Sequence, residues 1–276
     1  MSTPTEVGER EDRLARVVPD AIAAIHEVLE RHKVTEDEWH AVLGYLTAVG
    51  KADEFVLLSD VTRTSVLIDA LSHGAGESAT PSNVEGPLYR LDPPWREAPV
   101  KLYEEYEGVE EGEVLFLRGR VTSSDGTPLP DAVLDIWQTG PSGGYDIWDE
   151  RQPDYNFRGR FGVAASGAYE FQTMIPNPYT VPTVGPVGQY LEAVGQHAWR
   201  PAHIHFKVSA DGHQPLVTMV FFAGDPYLEN DTIGAVKESL VLSPERHEDD
   251  TEVQERGLEA PFFTCDFDVR LRPRGG

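Results

Sequence analysis

Cysteine is almost absent: Cys265 is the sole thiol among 276 residues, so no disulfide can form within the chain. Its setting, Phe262-Phe263-Thr264-Cys265-Asp266-Phe267, predicts a buried, inert side chain and not a nucleophile. Cations are scarce as well. The 23 Lys and Arg face 47 Asp and Glu, a formal charge of −24 that argues against binding nucleic acid or an anionic membrane, since both need clustered positive charge. Long apolar runs are missing too. None approaches the roughly 18 residues of a membrane span, and Met1-Ser2-Thr3-Pro4 leads into Glu and Arg instead of the apolar core of a signal peptide. The expectation is a cytoplasmic globule with no membrane insertion. Apolar residues, at 40%, suffice for the core of one large domain or of a β-domain with a helical appendage.

The periodicity changes near residue 80. Composition predicts disorder for the first dozen residues, after which Pro19 is placed to open a helix carrying Ile22, Ile25, Val28 and Leu29 on one side. Thr35 and Glu38 form a capping box ahead of Trp39, Val42, Leu43 and Leu46 at helical spacing, with Gly50 placed to end the element. A third helix is predicted over 54–73, stopping at Gly74. From about Val114 the period shifts toward two, and strands are predicted over 114–121, 132–138, 168–172, 203–209, 216–222 and 262–271. The Pro- and Gly-rich stretch 175–196 is predicted to be irregular, and loops of that length tend to be functional. The fold class is therefore mainly β: a β-sandwich domain over 101–276 preceded by a helical domain over 1–100.

The chemistry centres on Arg200-Pro201-Ala202-His203-Ile204-His205. Alternate residues of a strand share a face, so His203 and His205 can grip one metal ion while Ile204 turns into apolar packing. A His-x-His alone is a weak signal, because most histidines are packed or solvated. Further donors must come from loops, and Tyr145 in Gly143-Gly144-Tyr145-Asp146 and Tyr179 in Pro178-Tyr179-Thr180 stand out by context. A trivalent hard cation favours phenolate despite a free phenol pKa near ~10. Two phenolates and two neutral imidazoles leave such an ion with net charge of about +1, room for a dianionic substrate. Tyr155 and Tyr190 are rival phenols. His26, His32, His40, His73, His197, His213 and His247 lack convergent partners, and Trp137, Trp148 and Trp199 read as packing or as the mouth of a site. Arg158 and Arg160 either stiffen the Tyr145 loop or are solvated charges.

Gly86-Pro87-Leu88-Tyr89, Leu117-Arg118-Gly119-Arg120-Val121, Asp135-Ile136-Trp137-Gln138, Gly144-Tyr145, Tyr155-Asn156-Phe157-Arg158-Gly159-Arg160, Pro178-Tyr179-Thr180-Val181-Pro182-Thr183 and the Arg200 to Phe206 run together resemble the intradiol ring-cleavage dioxygenases. Within that family the hydroxyquinol and catechol 1,2-dioxygenases are nearest, and the likeness runs in order from about Thr35 to beyond Asp231. The resemblance implies one non-haem Fe(III) per chain on Tyr145, Tyr179, His203 and His205. It implies that Tyr179 is the labile phenolate that serves as a base and that Arg200 stabilises negative charge on the ring. Both atoms of O2 would enter an aromatic 1,2-diol, giving a cis,cis-muconate or maleylacetate-type product.

By the same resemblance the substrate pocket is walled by Leu57, Asp60, Val84, Glu85, Gly86, Pro87, Leu88, Val181, Pro182 and Ile233, with Met219 where the family commonly has Gln or His. Asp60 matches an acid placed near the third hydroxyl of hydroxyquinol, which makes hydroxyquinol the first choice and catechol or a chlorocatechol the alternative. Read without the resemblance, Asp60 is an ordinary polar residue on a helix. Family members also imply a homodimer joined through amino-terminal helices, with a phospholipid at that interface. A cupin-type metalloenzyme expects a Glu about four residues after the His pair, where Phe206-Lys207-Val208-Ser209 stands instead. A non-catalytic β-sandwich binding module would need neither the paired tyrosines nor Arg200.

Overall fold

A computed structural model describes residues 4–74, 78–109 and 112–274, the side chains from residue 12 onward. The chain divides into two compact units, Met1–Ala52 and Asp53–Gly276. The first holds α1 (Pro4–His32) and α2 (Glu36–Lys51). Pro19 lies inside α1 and does not open it, and the helix reaches back to Pro4 through residues whose composition predicts disorder; Met1 to Thr3 lie outside the described residues. The predicted capping box is formed. Thr35 Oγ1 accepts from the Glu38 amide at 3.3 Å and the Thr35 amide donates to Glu38 Oε2 at 2.7 Å. Gly50 is carried inside α2, which runs one residue further, to Lys51.

The second unit begins with α3 (Phe55–Val61) and α4 (Thr64–His73), where the apolar spacing predicts one helix. Two features divide it. Thr62 Oγ1 donates back to the carbonyls of Leu58 (2.8 Å) and Ser59 (3.2 Å), and Arg63 sits in the left-handed region at φ 60°, which no helix interior tolerates. Both helices, assigned from the sequence to the helical domain, belong to the unit that carries the sheets.

Thirteen strands and two further helices follow among the described residues: β1 (Val100–Lys101), β2 (Val114–Ser123), β3 (Val133–Gln138), β4 (Arg158–Gly162), β5 (Ala168–Met174), β6 (Tyr179–Thr180), α5 (Pro186–Ala193), β7 (Trp199–Arg200), β8 (His203–Ser209), β9 (Leu216–Phe222), β10 (Val241–Leu242), β11 (Glu245–His247), α6 (Asp250–Glu255), β12 (Phe262–Asp266) and β13 (Val269–Leu271). One sheet runs β1-β5-β2-β12-β11 with β13 also on β2, the other β10-β9-β8-β3-β4, and β6 pairs β7 in a separate ribbon. The two large sheets close a common core. Phe171 of β5 meets Phe206 of β8 at 6.1 Å and Phe161 of β4 at 5.5 Å, and Leu117, Ile136, Phe206 and Val208 are fully buried.

The predicted strand over 262–271 is two strands, and Gly119 explains why. A Cβ at Gly119 would stand 1.9 Å from the Phe267 carbonyl, so β2 admits the chain there only as a step off the ladder between β12 and β13. Stretch 175–196 is mostly irregular but includes α5, opened by Pro186 and by the Glu54 carboxylate, which accepts from the Val187 amide at 2.8 Å. Because that carboxylate stands next to α3, 133 positions earlier in the chain, no local pattern announces it.

Candidate active site

Strand β8 places the histidines as its pleat requires. His203 and His205 are buried on one face, and Ile204, fully buried, faces the core. In the register, His205 is opposite Trp137 on β3 and Met219 on β9. The His203 and His205 Nε2 atoms come within 3.2 Å of each other. His203 Nδ1 is 2.7 Å from the Pro201 carbonyl. A carbonyl only accepts, so Nδ1 carries the proton and Nε2 presents a lone pair inward. Burial, reinforced by neighbouring positive charge, pushes both imidazoles well below the usual histidine range, so both are neutral at pH 7.

The two proposed phenols arrive from elsewhere. Tyr179 is held by the β6–β7 ribbon directly opposite Arg200, and its ring centroid is 5.5 Å from that of His203. Tyr145, in the loop after β3, meets Tyr179 edge to face at 5.5 Å. Its Oη is buried beside the Tyr179 phenol with no hydrogen bond of good geometry, and burial holds the phenol well above its ordinary value, against the pull of Arg200 and Arg158. Arg200 completes the group: Nη1 reaches His203 Nε2 at 3.1 Å and Tyr179 Oη at 3.4 Å, Nη2 reaches Met219 Sδ at 3.5 Å, and Nε reaches Asp231 Oδ1 at 3.3 Å. The four donor side chains from three separate stretches therefore converge. Among the described residues no group of three His, Cys, Asp or Glu side chains converges in this way.

A pocket opens onto this cluster, lined by Tyr179, Arg200 and His205 together with Leu57, Asp60, Glu85, Gly86, Pro87, Leu88, Val181, Pro182 and Ile233. Two residues expected in the wall are not in the lining. Val84 is buried one position before it, and Met219 sits behind Arg200. Asp60 is nearly inaccessible, and burial raises its carboxyl above the ordinary value despite the Ser65 hydroxyl and the Arg200 charge.

Sequence reasoning passes over two supports and leaves a third open. Trp137, read as packing, stacks flat on His205 at 4.5 Å and 6°. Asp231 was read only as the far end of a resemblance. Arg158, which the sequence reads either as stiffening the Tyr145 loop or as a solvated charge, is buried, donates from Nε to Asp146 Oδ1 at 2.6 Å and from Nη1 to the Leu88 carbonyl at 2.8 Å, and holds its guanidinium 5.4 Å from the Tyr145 ring. It thus stiffens the Tyr145 loop. The Tyr145-Asp146 pair was the available signal, since a carboxylate next to a candidate ligand needs a cation.

Trp137 also meets Tyr89, whose ring is tilted by 59° and lies 4.9 Å from the indole, and whose hydroxyl donates to Asp135 Oδ2 at 2.9 Å. Burial lifts Asp135 from its ordinary 3.8 to about 6, although Tyr89 and three cations oppose it. Between those values the folded chain holds a proton that the unfolded chain releases, so this group's contribution to stability falls as pH rises from about 4 to 6. Asp135→Asn is expected to flatten that slope and to gain on the order of 2 kcal/mol over the parent at pH 7 relative to pH 4. Urea unfolding at the two pH values measures it, and parallel curves would contradict the assignment.

The family described as Dioxygenase matches residues 84–273, and the one described as Catechol dioxygenase N terminus matches 11–80. The chain belongs to the intradiol dioxygenase family. A hydroxyquinol 1,2-dioxygenase of Rhizobium sp. (strain MTP-10005) is 37% identical over 94% of this chain and 89% of its own length. A chlorocatechol 1,2-dioxygenase of Rhodococcus opacus is 37% identical over 79% of this chain and 84% of its own. The crystal structure of the catechol 1,2 dioxygenase of Acinetobacter radioresistens superposes with a TM-score of 0.87 at 28% identity, covering 96% of this chain and 87% of that one. The buried histidines, phenols and arginine of this intradiol dioxygenase lie within the segment matched at 84–273.

Proposed function

We propose that this intradiol dioxygenase is a non-haem Fe(III) enzyme that takes one iron per chain on Tyr145, Tyr179, His203 and His205 and cleaves hydroxyquinol. The convergence of two phenols on two neutral imidazoles carries the reading. Buried phenols do not ionise at pH 7 unaided, so the set suits a hard trivalent cation better than zinc or copper. Ferric iron bound there supplies the Lewis-acid and redox chemistry that lets a chelated diol react with O2. Tyr179 Oη, which lines the pocket, receives a proton from the diol. Arg200 faces the same space with a guanidinium that cannot be deprotonated, and it stabilises the negative charge that develops on the ring. Leu57, Leu88, Val181 and Ile233 exclude water from the reacting atoms. Both oxygen atoms end in the ring-opened dicarboxylate.

Phenolate-to-iron charge transfer should colour the pure, iron-replete protein burgundy; a colourless sample with full iron would remove the ferric assignment. Tyr179→Phe is expected to alter that absorption and Tyr190→Phe to leave it unchanged.

Asp60 supports hydroxyquinol, because a buried carboxyl in the pocket lining, beside the apolar Leu57 and Ile233, can accept a third hydroxyl. A charged hydrogen bond is worth about 1.5–3 kcal/mol. Asp60→Ala should therefore lower kcat/KM for hydroxyquinol relative to catechol by roughly tenfold or more. Oxygen uptake on both diols reads the ratio, and an unchanged ratio would favour the alternative that the apolar walls suit, catechol or a chlorocatechol.

We propose also a cytoplasmic homodimer joined through the amino-terminal helices, with a phospholipid at the interface. Leu14, Val18, Ile22 and Ile25 recur at helical spacing along α1, each about half exposed. No helix among the described residues is long and apolar enough to cross a membrane. Sedimentation equilibrium should give twice the chain mass, and a monomer would refute the dimer.

A further inference from the structure

Asp231 is buried in the turn after β9, and three groups converge on its carboxylate. Oδ1 takes Arg200 Nε at 3.3 Å and the Ile233 amide at 3.4 Å, and Oδ2 takes the Ala235 amide at 2.9 Å. The turn is fixed from its other side, since the Ala235 carbonyl accepts from Asn83 Nδ2 at 2.8 Å and Gly234 takes φ 67° with Arg63 packed against it. Ile233 is a pocket wall and Arg200 is the pocket's cation. Among the described residues, Asp231 is the only carboxylate that accepts a hydrogen bond from the Arg200 guanidinium; the other acceptors are a phenol, an imidazole nitrogen and a thioether.

A guanidinium has five N–H groups in a rigid fork, so fixing Nε fixes where Nη1 and Nη2 point. Here Nη1 points at Tyr179 Oη and His203 Nε2. We propose that Asp231 is the positioning residue of this site, setting the Arg200 guanidinium and the Ile233 wall as one unit and so governing both turnover and the fit of ring substituents. The carboxylate touches neither phenol nor imidazole and acts only through Arg200 and the turn. The proposal rests on the proposed function for its kinetic part only.

Two measurements separate the outcomes. In metal-free protein, Asp231→Asn, Arg200→Gln and the double variant are compared by urea unfolding. The stability lost on changing Asp231 is expected to be much smaller once Arg200 is gone, whereas independent, additive losses would overturn the proposal. This cycle needs no iron, so it stands apart from the ferric reading. In iron-loaded protein, Asp231→Asn is expected to lower kcat about tenfold, to shift the charge-transfer band through the Tyr179 contact, and to change the kcat/KM ratio between catechol and a chlorinated catechol at least threefold. An unmoved band and ratio in a wild-type background that is coloured and active would overturn the proposal while leaving the proposed function intact. Should Asp231→Asn not fold, Asp231→Glu keeps the charge but displaces it by one methylene; the same drop in kcat and band shift are expected, and wild-type values for both would overturn the proposal.

Discussion

His203→Ala is expected to lower diol-dependent oxygen uptake by on the order of 10³-fold or more and to leave a folded protein that binds iron poorly. Residues that merely orient a metal ligand are typically worth about 10–100-fold in affinity or activity, and His203 is proposed as a ligand itself. The substitution also strips one of two acceptors from Arg200 Nη1, leaving Tyr179 Oη, and opens a cavity beside His205 Nε2. The fold should survive, because β8 keeps its ladder on both sides and the neutral imidazole supplies only one hydrogen bond to the chain's own backbone, from Nδ1 to the Pro201 carbonyl. His40→Ala, on the exposed surface of α2, is the matched control and should change neither colour nor rate. Iron content, the visible spectrum and oxygen uptake, measured on both variants, decide the matter. A His203→Ala protein with full iron and near-normal uptake would remove β8 from the site.

How much of this was legible beforehand depends on the range of the interaction. Strand β8 and strand β9 lie over the predicted 203–209 and 216–222 because alternation is a local property and both inner faces are apolar. The capping box at Thr35 is equally local. The break between α3 and α4 was hidden because it turns on one left-handed residue, Arg63, and on a threonine that hydrogen-bonds backward, neither of which interrupts the apolar spacing. The break between β12 and β13 was hidden because its cause, Gly119, sits on another strand. In the site, the histidines could be paired from spacing alone, whereas the phenols needed context and resemblance. Asp231 meets Arg200 across 31 positions, and Asp146 meets Arg158 across 12, with no periodic pattern linking either pair. Buried charges find partners through tertiary packing, and the sequence shows only that both partners exist.

The second large effect is on stability. Asp146→Ala is expected to cost about 3–5 kcal/mol, because it leaves the Arg158 guanidinium buried without its carboxylate. Asp146 and Arg158 side chains are 0% and 1% exposed, and their bond is 2.6 Å long. Arg90 would lose the same partner, keeping Asp154 at 2.7 Å, and the Tyr155 amide would lose its acceptor. Against a typical total of about 5–15 kcal/mol the loss is large, and for a unit of this size it corresponds to a fall in Tm of roughly 10 °C or more. Asp266→Ala provides the contrast. Its bond to Arg118 has a similar length, 2.8 Å, but the side chains are 44% and 74% exposed, so water replaces the partner and the cost should stay below about 1 kcal/mol. Urea unfolding of both variants tests the difference, and equal losses would mean that burial is not what sets the strength of the Asp146 pair. Replacing both partners together, Asp146→Leu with Arg158→Met, should cost less than Asp146→Ala alone, since no charge is then stranded. Turnover should not recover in that double variant, because the Leu88 carbonyl and the Tyr145 ring would both have lost the guanidinium that ties the pocket wall to the phenol.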